Sequence, residues 1–161
     1  MRKQFDTLSF AYYSGEPDAW RALPEHERSD RGTIWTDTCI IDQEQFFVRG
    51  RILIPVIGHT EPFIWGLWAK IPHASFIRFG QLWDVEKRDL EPPLPGRIAN
   101  RIPAYPATLD LPCKVVMQNA RQRPIFELKS ADHPLAVEPR NGITLDRVKE
   151  FVSLLEQHRR A

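Results

Sequence analysis

The 161-residue sequence contains few of the features that are typical of secreted, membrane-bound or zinc-binding proteins. It has two cysteines, Cys39 and Cys113, so count alone excludes a disulfide framework and a CxxC zinc site. No long apolar run occurs, and the basic N-terminus is not followed by an apolar stretch of the length that a signal peptide requires. We therefore predict a soluble cytoplasmic protein with reduced thiols and no membrane-spanning segment.

An excess of one charge sign is also missing. The formal net charge of +1 gives no electrostatic attraction to nucleic acid or to an anionic membrane, so we expect neither as a partner. Hydrophobic content of 42% and charged content of 27% are typical of a soluble globular protein. The length fits one domain over residues 1–161, in which residues 1–15 form either a strand or an N-terminal arm.

Recognised catalytic signatures are absent as well. The five histidines show no HExxH or other metal-ligand spacing, and no serine stands in a GxSxG turn. The eight glycines include no phosphate-binding loop. Metal, cofactor and nucleotide chemistry therefore have no support in the sequence, and we expect no bound metal or cofactor.

Three consecutive β-type runs dominate what is present. They cover residues 34–41, 46–57 and 63–71, and β-branched and aromatic residues are frequent in all of them. The spacers between them contain the Asp, Gly and Pro residues that close short turns. This pattern predicts an antiparallel meander around which the rest of the chain packs.

The second run alternates between an apolar face and a face that carries Arg49 and Arg51. If Ile57 pairs with Phe63, the arginine face continues into Trp65, and the three side chains would form a recognition surface through stacking or carboxylate pairing. Alternatively, the arginines lie along an exposed sheet face or pair with nearby carboxylates. Those carboxylates are Asp37, Asp42 and Glu44.

The remaining segments predict two helices and a further strand pair. Helical spacing of apolar residues follows Pro72 through residue 84 and follows Thr144, a helix N-cap residue, through residue 158. The other expected segments are a proline-rich loop at 85–110, strands at 113–120 and 124–128, and a non-helical connector at 132–142. We predict an α+β fold with a mainly antiparallel sheet of about five strands, packed by two or three helices.

Polar residues that are flanked by conformationally restricting prolines are concentrated in the proline-rich loop and the connector. We expect these two segments to meet near the arginine-bearing sheet face and to form a pocket there. The expected lining residues are Arg49, Trp65, Asn100, Tyr105, His133 and Glu138.

Several strings of the sequence resemble a bacterial family known as domain of unknown function 2199. They include Phe46-Phe47-Val48-Arg49-Gly50, Glu61-Pro62-Phe63-Ile64-Trp65-Gly66-Leu67-Trp68 and Asp132-His133-Pro134-Leu135-Ala136-Val137-Glu138. The resemblance spans about residues 17 to 155 and implies a bacterial cytoplasmic protein, but it transfers no catalytic residue. The chain has no cysteine before Cys39, whereas many relatives begin with a paired-cysteine segment that resembles a zinc knuckle.

Two functions remain open at this level. The first is a binding module whose partner is another protein or a second copy of the chain, in the manner of an immunity protein that caps a toxin. The second is a small hydrolase or transferase with His133 as general base and Glu138 as its orienter, in which Arg49 or Arg123 holds an anionic substrate group. A structural histidine that bonds a backbone carbonyl is the alternative for His133.

Overall fold

The computed structural model of the chain describes residues 10–160, so the predictions made for residues 1–9 lie outside the described part. Within that part the chain forms eight strands, five helices and two short 3₁₀ turns. The strands are β1 (Ala11–Tyr13), β2 (Gly32–Ile34), β3 (Thr38–Ile41), β4 (Gln45–Ile54), β5 (Phe63–Ile71), β6 (Leu94–Ile98), β7 (Pro112–Val116) and β8 (Ile125–Leu128). The helices are α1 (Asp18–Arg21), α2 (Arg28–Arg31), α3 (His73–Gln81), α4 (Pro134–Asn141) and α5 (Leu145–Arg160), and the 3₁₀ turns are Glu25–Glu27 and Arg88–Leu90.

The α+β class is confirmed, but the sheet is larger than expected and mixed. Its order is β1-β5-β6-β7-β8-β4-β3-β2, and β4 also pairs with β5, so strands β4 to β8 close into a five-stranded barrel. The β1–β5 and β4–β8 pairs are parallel and the others are antiparallel. Closure occurs where the Arg51 N–H donates to the Pro124 carbonyl oxygen at 3.0 Å.

The predicted meander is present as β3, β4 and β5. The run at 34–41 is not one strand, however, because a turn at Trp35 to Asp37 folds it into a β2–β3 hairpin. The Trp35 N–H donates to the Thr38 carbonyl oxygen at 2.8 Å across this turn. The hairpin extends the sheet beyond the barrel, on the side of β4.

The register between β4 and β5 differs from the expected one. Phe63 pairs with Ile54, not with Ile57, which is a shift of three positions. An odd shift exchanges the two faces of a strand. Trp65 therefore lies inside the barrel beside Ile52, and Trp68 pairs with Arg49 on the outer face.

Two segments predicted to lack regular structure form elements of the fold. The proline-rich loop contains strand β6, and the connector at 132–142 contains helix α4, so the prediction of a non-helical connector is wrong. Pro134 stands at the first helical position, where its missing N–H costs nothing. Pro139 lies inside the helix, yet burial of Leu135 in the barrel core holds the helix in place.

Two apolar cores lie on opposite faces of the barrel wall. The inner core fills the barrel, with Trp65, Phe63 and Phe126 among its largest members, and Phe151 of α5 packs against it. The outer core is smaller and lies under the N-terminal segment that carries α1. It comprises Leu23, Cys39, Ile41, Phe47, Trp68 and Ala99. Strand β4 is therefore buried on both faces over part of its length, whereas the arginines lie beyond the covered part.

The two cysteines are expected to be unreactive in the folded protein. Cys39 lies in the outer core and Cys113 in the inner core, and burial raises the pKa of each thiol to about 12. The thiolate is the nucleophile, so both burial and protonation protect these side chains. A disulfide reagent should label neither thiol in native buffer and both in guanidinium chloride. Fast native labelling of Cys39 would show that the N-terminal segment does not cover the barrel wall.

Candidate functional site

Three arginines meet on the outer face of the barrel, and we call them the arginine cluster: Arg49, Arg51 and Arg123. Arg49 and Arg51 lie two positions apart on β4 and therefore share one face. Because Arg51 pairs with Ile125 in a parallel register, Arg123, two positions before Ile125, comes to lie beside Arg49. The β4–β8 closure of the barrel thus brings together arginines that are distant in the sequence.

The tip of the β2–β3 hairpin fixes two of these arginines. The Arg49 Nη1 donates to the Thr36 carbonyl oxygen at 3.1 Å, and its guanidinium lies 5.5 Å from the centroid of the buried Trp68 ring. The Arg123 Nε donates to Asp37 Oδ1 at 2.8 Å. The hairpin therefore supplies the cluster with one carboxylate and one carbonyl acceptor.

The cluster has more hydrogen-bond donors than nearby acceptors and more positive charge than nearby carboxylates neutralise. Within residues 10–160, Arg51 makes no side-chain hydrogen bond or ion pair, and the Nε atoms of Arg49 and Arg51 are buried without an acceptor. Burial lowers the pKa of Arg49, and the Arg123 charge lowers it further, while Asp37 raises it. A partly desolvated guanidinium group without an acceptor, such as that of Arg51, is suited to bidentate binding of carboxylate or phosphate.

A groove with exposed aromatic surface adjoins the cluster at the hairpin tip. We call it the tryptophan groove; its volume is about 310 Å³. It is lined by Trp35, Thr36, Asp37, Thr38, Phe79, Gly80 and Trp83. Trp35 is 53% exposed, an unusual exposure for so large an apolar side chain. Thr36 and Asp37 line the groove and also accept hydrogen bonds from Arg49 and Arg123, so the groove and the arginine cluster adjoin each other.

Four of the six residues expected to line a common pocket instead meet at the α4 and α5 side of the barrel. Trp65 Nε1 donates to the Tyr105 hydroxyl at 3.1 Å, and that hydroxyl donates to Glu138 Oε1 at 2.6 Å. Arg147 Nε donates to Glu138 Oε2 at 2.9 Å. Burial, followed by the hydrogen bond to Glu138, raises the pKa of Tyr105. This chain of side chains ties α4 and α5 to the barrel core.

His133 belongs to the same region but serves α4 as its N-cap. Its Nδ1 accepts from the Leu135 N–H at 3.1 Å, and its Nε2 lies 2.7 Å from the Pro106 carbonyl oxygen. These partners assign the tautomer with the proton on Nε2. No hydrogen bond joins His133 to Glu138, so the geometry of a base and its orienter is absent from this pair.

Asn100 occupies a third place, under the N-terminal segment. Its Oδ1 accepts from the Trp68 N–H at 2.8 Å, and its Nδ2 donates to the Glu16 carbonyl oxygen at 2.9 Å. The same Nδ2 also lies 3.1 Å from Ser14 Oγ and from Asp18 Oδ1. The six expected residues therefore divide among three places, and Arg49 is the one that lies at the arginine cluster.

Reasoning from the sequence missed two residues that shape these sites. Arg147 stands four positions before Phe151 on α5 and lies over its ring, 4.5 Å from the centroid, so helical spacing could have indicated the contact. The sequence pattern predicts a continuous strand through Trp35, whereas Trp35 lies in the turn between β2 and β3. Asp37 two positions later is a turn-favouring residue and was the available signal.

Two of the carboxylates named as alternative partners of Arg49 and Arg51 bind other arginines instead. Asp42 binds Arg31, with 2.7 Å between Oδ2 and Nη2, and Asp37 binds Arg123. In the described part of the chain, no group of three or more His, Cys, Asp or Glu side chains is arranged to hold a metal ion. No helix found between residues 10 and 160 is long and apolar enough to cross a membrane.

Comparison with known proteins identifies a family but no characterised relative. No curated protein and no solved structure matches the chain. The family model of DUF2199, described as uncharacterized protein conserved in bacteria, matches residues 2–143. The match includes the whole barrel and α4 and ends before α5. The chain therefore belongs to DUF2199, an uncharacterised protein family conserved in bacteria.

Proposed function

We propose that the protein is a binding module that holds an acidic segment of a protein partner on the arginine cluster and the tryptophan groove. The observation that carries the proposal is Arg51, whose guanidinium has no acceptor within residues 10–160 although its Nε is buried. The Arg51 Nη groups are not buried and have no acceptor there either, so a partner carboxylate can reach them and offset the cost of the partly desolvated guanidinium. The three guanidinium groups lie near only one carboxylate, that of Asp37, so the excess positive charge attracts acidic residues of a partner.

The tryptophan groove adds the apolar contact that such a surface needs. Tryptophan and arginine are the residue types most enriched at the energetic centres of protein interfaces. Trp35 at the hairpin tip would pack on an apolar side chain of the partner while Arg51 holds the neighbouring carboxylate. A protein that caps a partner as immunity proteins do would use a surface of this kind.

The hydrolase or transferase alternative has less support from the geometry. Both nitrogens of His133 already have partners, and both oxygens of Glu138 are bonded to Tyr105 and Arg147. A general base needs one side that is free to face a substrate. The partner-binding proposal has no such conflict, because its central donor is unoccupied.

Binding of acidic peptides tests the proposal. The probes are fluorescein-labelled eight-residue peptides in which two Asp or Glu residues flank a Leu, compared with the same peptides carrying Asn or Gln. We expect binding of the acidic set alone, and we expect Arg51→Ala to raise the dissociation constant at least about tenfold, or about 1.4 kcal/mol. Affinity should fall with added salt, because screening weakens exposed charge pairs.

Arg101→Ala is the matched control, since Arg101 is exposed and makes no side-chain hydrogen bond or ion pair within residues 10–160. This variant should bind the acidic peptides as the wild-type protein does. Equal affinity for acidic and amide peptides, or equal loss in both variants, would contradict the proposal. Self-association that Arg51→Ala abolishes would identify a second copy of the chain as the partner.

A further inference from the structure

A second group of basic side chains forms a row across four neighbouring strands of the barrel. Lys70 of β5 is directly opposite Arg97 of β6, and Arg97 is directly opposite Pro112 of β7. Lys129 follows β8, and its N–H donates to the Pro112 carbonyl oxygen at 3.1 Å. Directly opposite residues share a face of the sheet, so Lys70, Arg97 and Lys129 form what we call the cation row. Strand spacing of about 4.8 Å gives the row a length of about 14 Å at the backbone.

The cation row lines a cavity of about 440 Å³. Pro112 takes the position in the row between Arg97 and Lys129, and its short ring leaves room there for a ligand. Helix α3 begins at the cavity with His73 and has no side-chain cap, so the positive end of its dipole lies nearby. The volume lies within the range that small-molecule sites occupy, roughly 300–1,000 Å³.

The charges of the row are not neutralised within the described part of the chain. None of the three side chains forms an ion pair there, and the Arg97 Nη1 donates only to the backbone oxygen of Asp110, at 3.0 Å. Glu44 and Asp110 also line the cavity, but neither forms an ion pair with any of the three cations. Lys70 and Arg97 are like charges directly opposite each other on the sheet, an arrangement that is destabilising. Three cations and two carboxylates together give the cavity lining a net charge of +1.

We propose that this cavity binds a small molecule that carries an oligophosphate group. Glu44 and Asp110 reduce the net charge of the lining to +1, so the proposal rests on direct contacts between phosphate oxygens and the three cations, which form no ion pairs with those carboxylates. The length of the row also exceeds what a single phosphate can span. Arg97 at the centre binds phosphate oxygens through its planar fork, while Lys70 and Lys129 act as point charges on either side. The remaining volume accommodates the organic part of the ligand. This site shares no residue with the arginine cluster, so it stands independently of the proposed protein partner.

Calorimetry with inorganic pyrophosphate and tripolyphosphate tests the site, with sodium sulfate at matched ionic strength as the reference anion. We expect both probes to bind the wild-type protein more tightly than sulfate does. Arg97→Gln and Lys129→Gln should each raise the dissociation constant at least about tenfold. Both side chains are exposed, so the variants should fold, which a thermal unfolding curve checks.

Two controls separate this site from general surface charge and from the arginine cluster. Lys149→Gln removes an exposed charge from α5 and should leave pyrophosphate affinity unchanged, as should Arg51→Ala. Without ligand, Lys70→Gln should unfold at a temperature equal to or above that of the wild type, because it removes a repulsion. A dissociation constant of about 1 mM corresponds to a binding free energy of only about 4 kcal/mol. Absence of pyrophosphate binding at that concentration would therefore overturn the proposal. Loss of binding in Arg51→Ala but not in Arg97→Gln would also overturn it.

Discussion

Replacing Gly50 by alanine is expected to lower the free energy of unfolding by about 3 kcal/mol. A Cβ atom at this position would lie 2.5 Å from Phe126 Cζ and 2.8 Å from the Pro124 carbonyl oxygen. The second contact is with backbone, and that carbonyl oxygen accepts the Arg51 N–H that closes the barrel between β4 and β8. The added methyl group therefore forces the two strands apart at the closure point.

Urea unfolding followed by tryptophan fluorescence measures the effect, and Gly80→Ala is the matched control. Apart from its two chain neighbours and the backbone of its own helix, no heavy atom lies within 4 Å of a Cβ built on Gly80, which is exposed in α3. Alanine at an exposed helix position should raise the free energy of unfolding by up to about 1 kcal/mol. The two Gly→Ala changes should thus have opposite signs. A Gly50→Ala variant as stable as the wild-type protein would contradict the barrel closure.

Replacing Asn100 by alanine is expected to cost about 3 kcal/mol and to release the N-terminal segment first. The side chain is 2% exposed and bonds the barrel strand and the N-terminal segment at once, through the Trp68 N–H and the Glu16 carbonyl oxygen. Alanine leaves the buried Trp68 N–H without an acceptor, and it removes one of the two side-chain donors to the Glu16 carbonyl oxygen, which keeps the Ser14 hydroxyl. Asn100→Asp should be similarly damaging, because it sets a carboxylate against Asp18.

Hydrogen exchange distinguishes release of this segment from global unfolding. Amides at residues 14–23 should exchange faster in Asn100→Ala under native conditions. The protection of amides in β5 should fall only by the amount that the lower free energy of global unfolding accounts for. Asn119→Ala is the control, since Asn119 is exposed and its side chain makes no hydrogen bond in the described part of the chain. That change should alter stability by no more than about 0.5 kcal/mol. Uniform loss of protection in Asn100→Ala would show that the segment and the barrel unfold together.

Local patterns in the sequence determined much of the secondary structure and the family. Alternation identified the buried face of β4, with Val48, Ile52 and Ile54 at 1% exposure or less. Thr144 was correctly assigned as the N-cap of α5, and its Oγ1 accepts from the Arg147 N–H at 3.2 Å. Such features depend on residues within a few positions of one another, which is why one sequence suffices to find them.

Register and barrel closure were decided by the tertiary structure. The expected β4–β5 pairing missed the true register by three positions, and this error moved Trp65 from the core to the arginine face. The amino-acid composition of the connection between β4 and β5 does not specify how many of its residues remain outside the strand pairing, and that number sets the register. For the same reason the sequence predicts a loop where β6 lies, because the two pairs that β6 forms with β5 depend on where a long connection returns to the sheet.

The candidate sites depend even more on long-range pairing. Arg49 and Arg51 were visible on one face of a predicted strand, but Arg123 reaches them only because β8 returns parallel to β4. The cation row is built from four strands whose alignment no local pattern encodes. Sequence alone therefore identified the polar residues, whereas their grouping required the closed barrel, because closure brings strands distant in the chain to a spacing of about 5 Å.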